Sequence, residues 1–246
     1  MFRLLKALPL TLALAALSFF AASCGSGSQA QIRVVNAIPD SPTAGLDVDV
    51  NGTKITTAAL AFPGFQPASG YTKVKAGSDT IQAFDTGTTT NPIFGTNGVT
   101  ANLSGSTQYT VVLDGFVANP SAPLITDNNT APTSGNIEFR IIHASPSNQT
   151  PLDVYIVPPG TDITNIAPQI GGSNPLAYQQ ASTYVSVGFA TNGYSVILTA
   201  NGNKTPLSNP PYGIAPPTGS IRTLVLVDLQ NGGAMSPTPT VLSDLN

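Results

Sequence analysis

Ile32-Arg33-Val34-Val35-Asn36-Ala37-Ile38-Pro39 returns later in the chain as Phe139-Arg140-Ile141-Ile142-His143-Ala144-Ser145-Pro146, an offset of 140 − 33 = 107. Each copy is a short apolar run closed by a proline, which reads as a strand. Because the run occurs twice, the architecture follows from what else repeats around it. Leu46-Asp47-Val48-Asp49-Val50 meets Leu152-Asp153-Val154-Tyr155-Ile156 at 153 − 47 = 106. Phe65-Gln66-Pro67-Ala68-Ser69-Gly70-Tyr71 meets Tyr178-Gln179-Gln180-Ala181-Ser182-Thr183-Tyr184, and Thr110-Val111-Val112-Leu113 meets Thr223-Leu224-Val225-Leu226, both at 184 − 71 = 113. Four blocks in the same order, with an insertion in the second copy, imply two related units.

Each unit spans about 90 to 110 residues, the size of an immunoglobulin-like sandwich domain and too long for a solenoid repeat. In the first unit, strands are predicted near 32–37, 46–50, 54–57, 71–75, 80–84 and 109–113. In the second they are predicted near 137–143, 152–157, 184–188, 194–199 and 221–228, with 240–242 as a closing strand. Asn51-Gly52 has the signature of a type I′ hairpin, whose two central residues both need positive φ. Runs such as Thr223 to Val227 suit strands covered on both sides, by loops or by a neighbouring unit. Residues 119–135 collect the strand breakers Asn119-Pro120, Ala122-Pro123 and Ala131-Pro132 and are read as a linker. The expected fold is all-β: two tandem immunoglobulin-like antiparallel β-sandwich modules, 31–118 and 136–246, strung behind an N-terminal signal segment.

Composition supports that class and narrows the partners. The 246 residues are 41% hydrophobic but only 9% charged, and they include 23 Gly and 22 Pro. Turn formers at such short intervals favour many short strands. Beyond residue 23 the chain has seven basic against twelve acidic residues, with no Lys/Arg run able to neutralise adjacent phosphates. Nucleic acid is therefore not an expected partner.

At the N-terminus, Arg3 and Lys6 precede an apolar stretch from Ala7 to Phe20, then Ala21-Ala22-Ser23 directly before Cys24. That is the order of a secretory signal, and the apolar stretch is short for a membrane-spanning helix. Cys24 is the sole cysteine, so no internal disulfide is available. Its position resembles the lipobox of bacterial lipoproteins, with Ala21 where leucine is usual. Residues 1–23 are accordingly read as a lipoprotein signal peptide, Cys24 as the lipidation site, and 24–30, with Gly25-Ser26-Gly27-Ser28, as a flexible tether. Residue 25 is not Asp, which favours an outer-membrane or cell-surface destination. The expected partners are the membrane, through the N-terminal lipid anchor, and an envelope protein or polysaccharide.

The paired signatures at 33–42 with 46–52, and at 140–146 with 152–156, resemble the bacterial family known as domain of unknown function 4397. Its hallmark is similar to a strand ending in His-Ala-Ser-Pro-Asp-Ala-Pro followed by Val-Asp-Val-Tyr-Val-Asp-Gly. The likeness covers most of residues 31–228. It implies a β-sandwich and an envelope location and no settled activity. Asn36 and Ile38 depart from the hallmark in the first unit, as do Ser147-Asn148 in the second.

Candidate chemistry is sparse. His143 is the only histidine. Its counterpart is Asn36, which points to a hydrogen-bonding side chain at a strand end and not to a catalytic base. Asp47 and Asp153 recur, and three roles are open to them: a hard-cation site, acceptance of loop amides, or pairing with Arg33 and Arg140. Tyr155 in place of Asp49 counts against a cation, and the arginine pairing is the expected role. No Gly-x-Ser-x-Gly elbow, Cys-x-x-Cys pair or phosphate loop is present. No catalytic residue, metal ligand or cofactor is assigned. The expected function is a non-catalytic cell-envelope lipoprotein that binds or scaffolds, with a carbohydrate-binding or adhesive module as the alternative. Loops 86–98 and 201–212 are the expected contact surfaces.

Overall fold

The computed structural model describes residues 28–245; the signal segment and Cys24 lie outside the described residues. Every element is a strand: β1 (Gln29–Asn36), β2 (Leu46–Val50), β3 (Thr53–Lys54), β4 (Gly64–Gln66), β5 (Thr72–Lys75), β6 (Gly77–Asp85), β7 (Val99–Leu103), β8 (Gln108–Phe116), β9 (Asn119–Ser121) and β10 (Leu124–Asp127). The C-terminal half continues with β11 (Asn136–Ala144), β12 (Leu152–Val157), β13 (Val185–Gly188), β14 (Tyr194–Ala200), β15 (Tyr212–Ile214), β16 (Ile221–Val227) and β17 (Thr240–Leu245). Asn51 and Gly52 have φ of 50° and 72° and join β2 to β3 with Val50 opposite Thr53. That is the two-residue hairpin their chemistry calls for.

The strands form four sheets. In the N-terminal half, β10-β8-β1-β4, with β5 and β9 at its flanks, faces β3-β2-β6-β7; in the C-terminal half, β13-β11-β16-β17 faces β12-β14-β15. The repeat in sequence is a repeat in hydrogen bonding. Ile32 opposes Thr72 on β5 and Tyr109 on β8, while Phe139, 107 residues on, opposes Val185 and Arg222, each 113 residues on. Asp47 opposes Phe84 as Asp153 opposes Thr199.

Two expectations need correction. Pairing is not wholly antiparallel, because β1 with β8 and β11 with β16 run parallel. These are the first and last long strands of each half, sheltered in the sheet interior, which is where parallel pairs with near-continuous apolar sequences belong. The stretch 119–135 is also more than a linker, since it carries β9 and β10, both paired to β8. Its prolines did not forbid strands, because β9 and β10 each pair on one side only and an edge position leaves the missing N–H harmless.

Alternation along the parallel pairs decides how the halves meet. Ile32, Val34, Val111 and Leu113 face the core between the two N-terminal sheets. Phe139, Ile141, Leu224 and Leu226 face the equivalent C-terminal core. The intervening residues Val35, Val112, Ile142 and Val225 share one further buried cluster, with Ala37, Ala144, Val227 and Leu242. The backs of the two parallel-strand sheets thus pack on each other, giving four layers. The halves are not separate beads, because each would expose an apolar sheet face without the other.

At one end of this seam the alternating residues are polar. Arg33 reaches Asp127 at 3.4 Å and Asp244 at 2.6 Å, and Arg140 reaches the same two carboxylates at 2.7 and 3.6 Å. Thr110 accepts from Arg33 at 2.9 Å and donates to Asp127 at 2.7 Å. Thr223 does the same between Arg140, at 3.0 Å, and Asp244. The Tyr71 and Tyr184 rings lie 5.1 and 4.8 Å from the two guanidinium carbons. Both arginines are at most 2% exposed. Two positive and two negative charges therefore cancel inside the seam, each held by hydrogen bonds. This geometry is required of ions removed from water.

Removing one member leaves a buried charge uncompensated. Asp127→Ala is expected to cost about 3–5 kcal/mol, read as a shift of the urea unfolding midpoint; a loss under about 1 kcal/mol would contradict the quartet as described.

Candidate functional site

Asp47 and Asp153 do not meet the arginines. The quartet takes its acids from β10 and β17, leaving the repeated aspartates for the opposite face of each half. Asp47 accepts from Thr86 Oγ1 and the Gly87 amide, both at 3.0 Å, and pairs with Lys54 at 2.7 Å. Asp153 accepts from the amides of Gly172 and Gly202 and from Asn201, at 2.8 to 2.9 Å. Burial pushes both carboxyls up, but these donors outweigh it and hold them below the usual carboxylate range. Each aspartate thus fastens the loops that follow the strand pair, the amide-accepting role that had been one of the three readings. The fit is close: a Cβ on Gly171, whose φ is +136°, would lie 2.1 Å from Asp153 Oδ1.

His143 is fully buried. Its Nε2 lies 3.4 Å from the Thr150 carbonyl, which can only accept, so the proton sits on Nε2. Nδ1 has no partner among the described residues, and the ring meets Tyr178 edge-on at 5.8 Å. Burial pushes its pKa down to about 4, so the ring is neutral. Asn36 does the matching work in the N-terminal half, donating to Ser41 Oγ and the Leu60 carbonyl at 3.1 Å. Ser145 donates straight to Asp228 with no imidazole between them. Asp153, His143 and the serines have separate partners and do not converge on one cleft. Among the described residues no group of three or more His, Cys, Asp or Glu is placed to hold a metal ion.

Tyr178, which meets His143, also bonds Asp114 on β8, a residue that is likewise fully buried. Burial raises its carboxyl to about 6 in spite of bonds from the Gly115 amide and Tyr178. Its side chain lies on the seam face of β8, following Thr110 and Val112 by alternation.

An open groove lies away from these groups. On the outer face of the β2–β6 pair, Asp49, Thr80, Gln82 and Phe84 floor a groove of about 370 Å³, walled by Thr89, Pro92, Thr96 and Asn97 of loop 86–98. Gln82 anchors that wall, accepting from the Phe94 amide at 3.1 Å and donating to the Gly95 carbonyl at 2.7 Å. Gly98, at φ +63°, lets the wall return against the strand, since a Cβ there would stand 2.6 Å from Thr80 Cγ2. Asp49 has no hydrogen bond or ion pair among the described residues, because Lys54 is held by Asp47. Burial, then the charge of Asp47, push its carboxyl up. A second depression, of about 440 Å³, lies along residues 169–183 and has no charged side chain in its lining. The other expected contact loop, 201–212, is tied to Asp153 through Asn201 and Gly202 and to Tyr155 through Lys204.

Residues 30–155 match the protein family described as Domain of unknown function (DUF4397), which is 126 of the 246 residues. The chain belongs to this family. The matched segment of this DUF4397 protein runs from β1 into β12, so it takes in the whole N-terminal half and the first turn of the repeat. No curated protein matches the chain.

His143 and Asp114 make opposing contributions to stability in acid. Between about pH 6.5 and 4 the unfolded chain protonates His143 while the folded ring refuses the proton, so acidification withdraws stability. Between about pH 6 and 3.8 the folded Asp114 takes up a proton before the unfolded one does, so acidification adds stability. His143→Asn is therefore expected to gain about 2 kcal/mol relative to wild type on going from pH 7 to 4.5, and Asp114→Asn to lose a similar amount. Urea midpoints at the two pH values check this; curves parallel to wild type for both variants would contradict it.

Proposed function

We propose that this DUF4397 protein is a non-catalytic lipoprotein of the cell envelope, anchored through acylated Cys24. In this reading two tandem immunoglobulin-like sandwich modules, 31–118 and 136–246, are held out from the membrane for binding or scaffolding by the tether expected at 24–30, which β1 shortens by taking Gln29 and the buried Ala30 into the first sheet. The four strand pairs that share one register support the second module as a copy of the first, with β9 and β10 completing the N-terminal one. The order of the leader and the small residues before the single cysteine supports export and acylation.

One observation carries the binding role. Asp47, Asp153 and the arginine quartet are committed to loops or the seam, whereas Asp49, Thr80, Thr96 and Asn97 stand side by side in an open groove under loop 86–98 with side chains that form no hydrogen bond among the described residues. His143 and Ser145 have no shared geometry for nucleophilic attack, which supports a role without catalysis. The groove favours the second reading, a carbohydrate-binding or adhesive module, over a purely mechanical spacer.

Detergent phase partitioning with labelled palmitate tests the anchor. Wild type is expected to carry label and enter the detergent phase, and Cys24→Ala to lose the label; an unlabelled wild-type protein in the aqueous phase would overturn the lipoprotein reading. Retention of the full chain on immobilised envelope polysaccharide, in the presence and absence of envelope proteins, tests binding, and failure to be retained on either would overturn it.

A further inference from the structure

The two halves treat one sheet face in opposite ways, and the comparison shows what the groove is for. In the C-terminal half the residues opposite each other at this place on β12 and β14 are Tyr155 and Ile197. They are buried with Val157 and Ile163 beneath residues 158–171. Lys204 closes the cover, 4.6 Å from the Tyr155 ring. In the N-terminal half the corresponding pair is Asp49 and Gln82. The chain makes no cover there: loop 86–98 is pinned to one side by Gln82 and leaves the strands open. The same framework therefore carries an apolar face under its own lid in one half and a polar, aromatic-floored groove in the other.

We propose that this groove binds neutral, hydroxyl-rich glycan chains, Asp49 and the wall residues exchanging hydrogen bonds with ligand hydroxyls while the Phe84 ring lies under a sugar face. The inference rests on the binding role proposed above and gives it a ligand class. Asp49 is an acceptor with no protein donor, and Thr80, Thr96 and Asn97 supply side chains that form no hydrogen bond among the described residues. A partly buried acceptor left without a donor is unfavourable, and a ligand hydroxyl relieves it. Phe84 is partly exposed, and an aromatic face with polar groups around its rim suits a ring that is apolar on its face and polar at its edge. Lys54, across the strand from Asp49, is paired with Asp47 at 2.7 Å, and no lysine or arginine lines the groove, so an acidic glycan or phosphate would meet Asp49 with little compensating charge.

The test uses the full acylated chain in detergent, titrated with the hexamers of glucose (α- and β-linked), mannose and N-acetylglucosamine as neutral probes, with hexagalacturonate as acidic and hexaglucosamine as cationic probes. At least one neutral hexamer is expected to bind. Its affinity is expected to fall about tenfold or more in Asp49→Ala and in Phe84→Leu, which keeps an apolar side chain over the strand. Leu207→Ala, on an exposed leucine of the other half, is expected to bind as wild type. Binding of the charged hexamers alone, or neutral binding unchanged in both groove variants, would overturn the proposal. If no neutral hexamer binds while envelope polysaccharide still retains the protein, the ligand class assigned here is wrong and the binding role stands.

Discussion

Two arginines from two halves of one chain, each bonded to the same two aspartates, set the terms for everything else in this molecule. Arg33 and Arg140 sit on the central strands, on the face turned away from each half's own core. Neither could be buried there alone, because an isolated guanidinium in the interior is costly. The partner carboxylates arrive on β10 and β17, each paired antiparallel to the last long strand of its half. The quartet therefore requires both halves to be folded, in register and back to back. Apolar contact supplies most of the attraction across the seam, through Val35, Val112, Ile142 and Val225. That contact is non-directional, and the charged end gives it a single registration.

Stacking the halves this way commits their inner sheets to each other and leaves the outer sheets to diverge. Asp47 and Asp153 keep one job on both, drawing loop amides down onto the strand. Beyond them the outer faces part company at a single opposed pair, Asp49 with Gln82 against Tyr155 with Ile197. The second pair is covered by an insertion that the first half does not have. The groove thus lies on the side where the two halves differ, while the seam side has an arginine, a threonine and a tyrosine in each half.

Much of this was legible in the residues. Arg33 with Arg140, Thr110 with Thr223 and Tyr71 with Tyr184 all stand in repeated blocks, so the arginines, threonines and tyrosines of the seam could be seen as recurring. Its acids recur as well, but went unrecognised. Asp127 and Asp244 are 117 residues apart and close two similar segments, Leu124-Ile125-Thr126-Asp127 and Val241-Leu242-Ser243-Asp244, which pair antiparallel to β8 and β16. One segment was read as a linker because of its prolines, and Asp244 lies beyond the predicted closing strand, next to an irregularity in the β16–β17 pairing. With that fifth likeness overlooked, the repeated Asp47 and Asp153 were read as the arginines' acids. The parallel pairing was illegible for a different reason: a continuous apolar run states that both faces are covered and says nothing about strand direction. Loop 86–98 was recognisable as a contact surface from its turn chemistry, but the groove was not, since its floor comes from two strands whose register decides which side chains lie together.

The claim on which the rest depends is that the arginine of one half and the aspartate of the other are energetically coupled. A double-mutant cycle on Arg33→Met and Asp244→Asn, followed by urea denaturation, measures that coupling directly. A coupling energy of about 2 kcal/mol or more is predicted; effects that add to within about 0.5 kcal/mol would contradict the account.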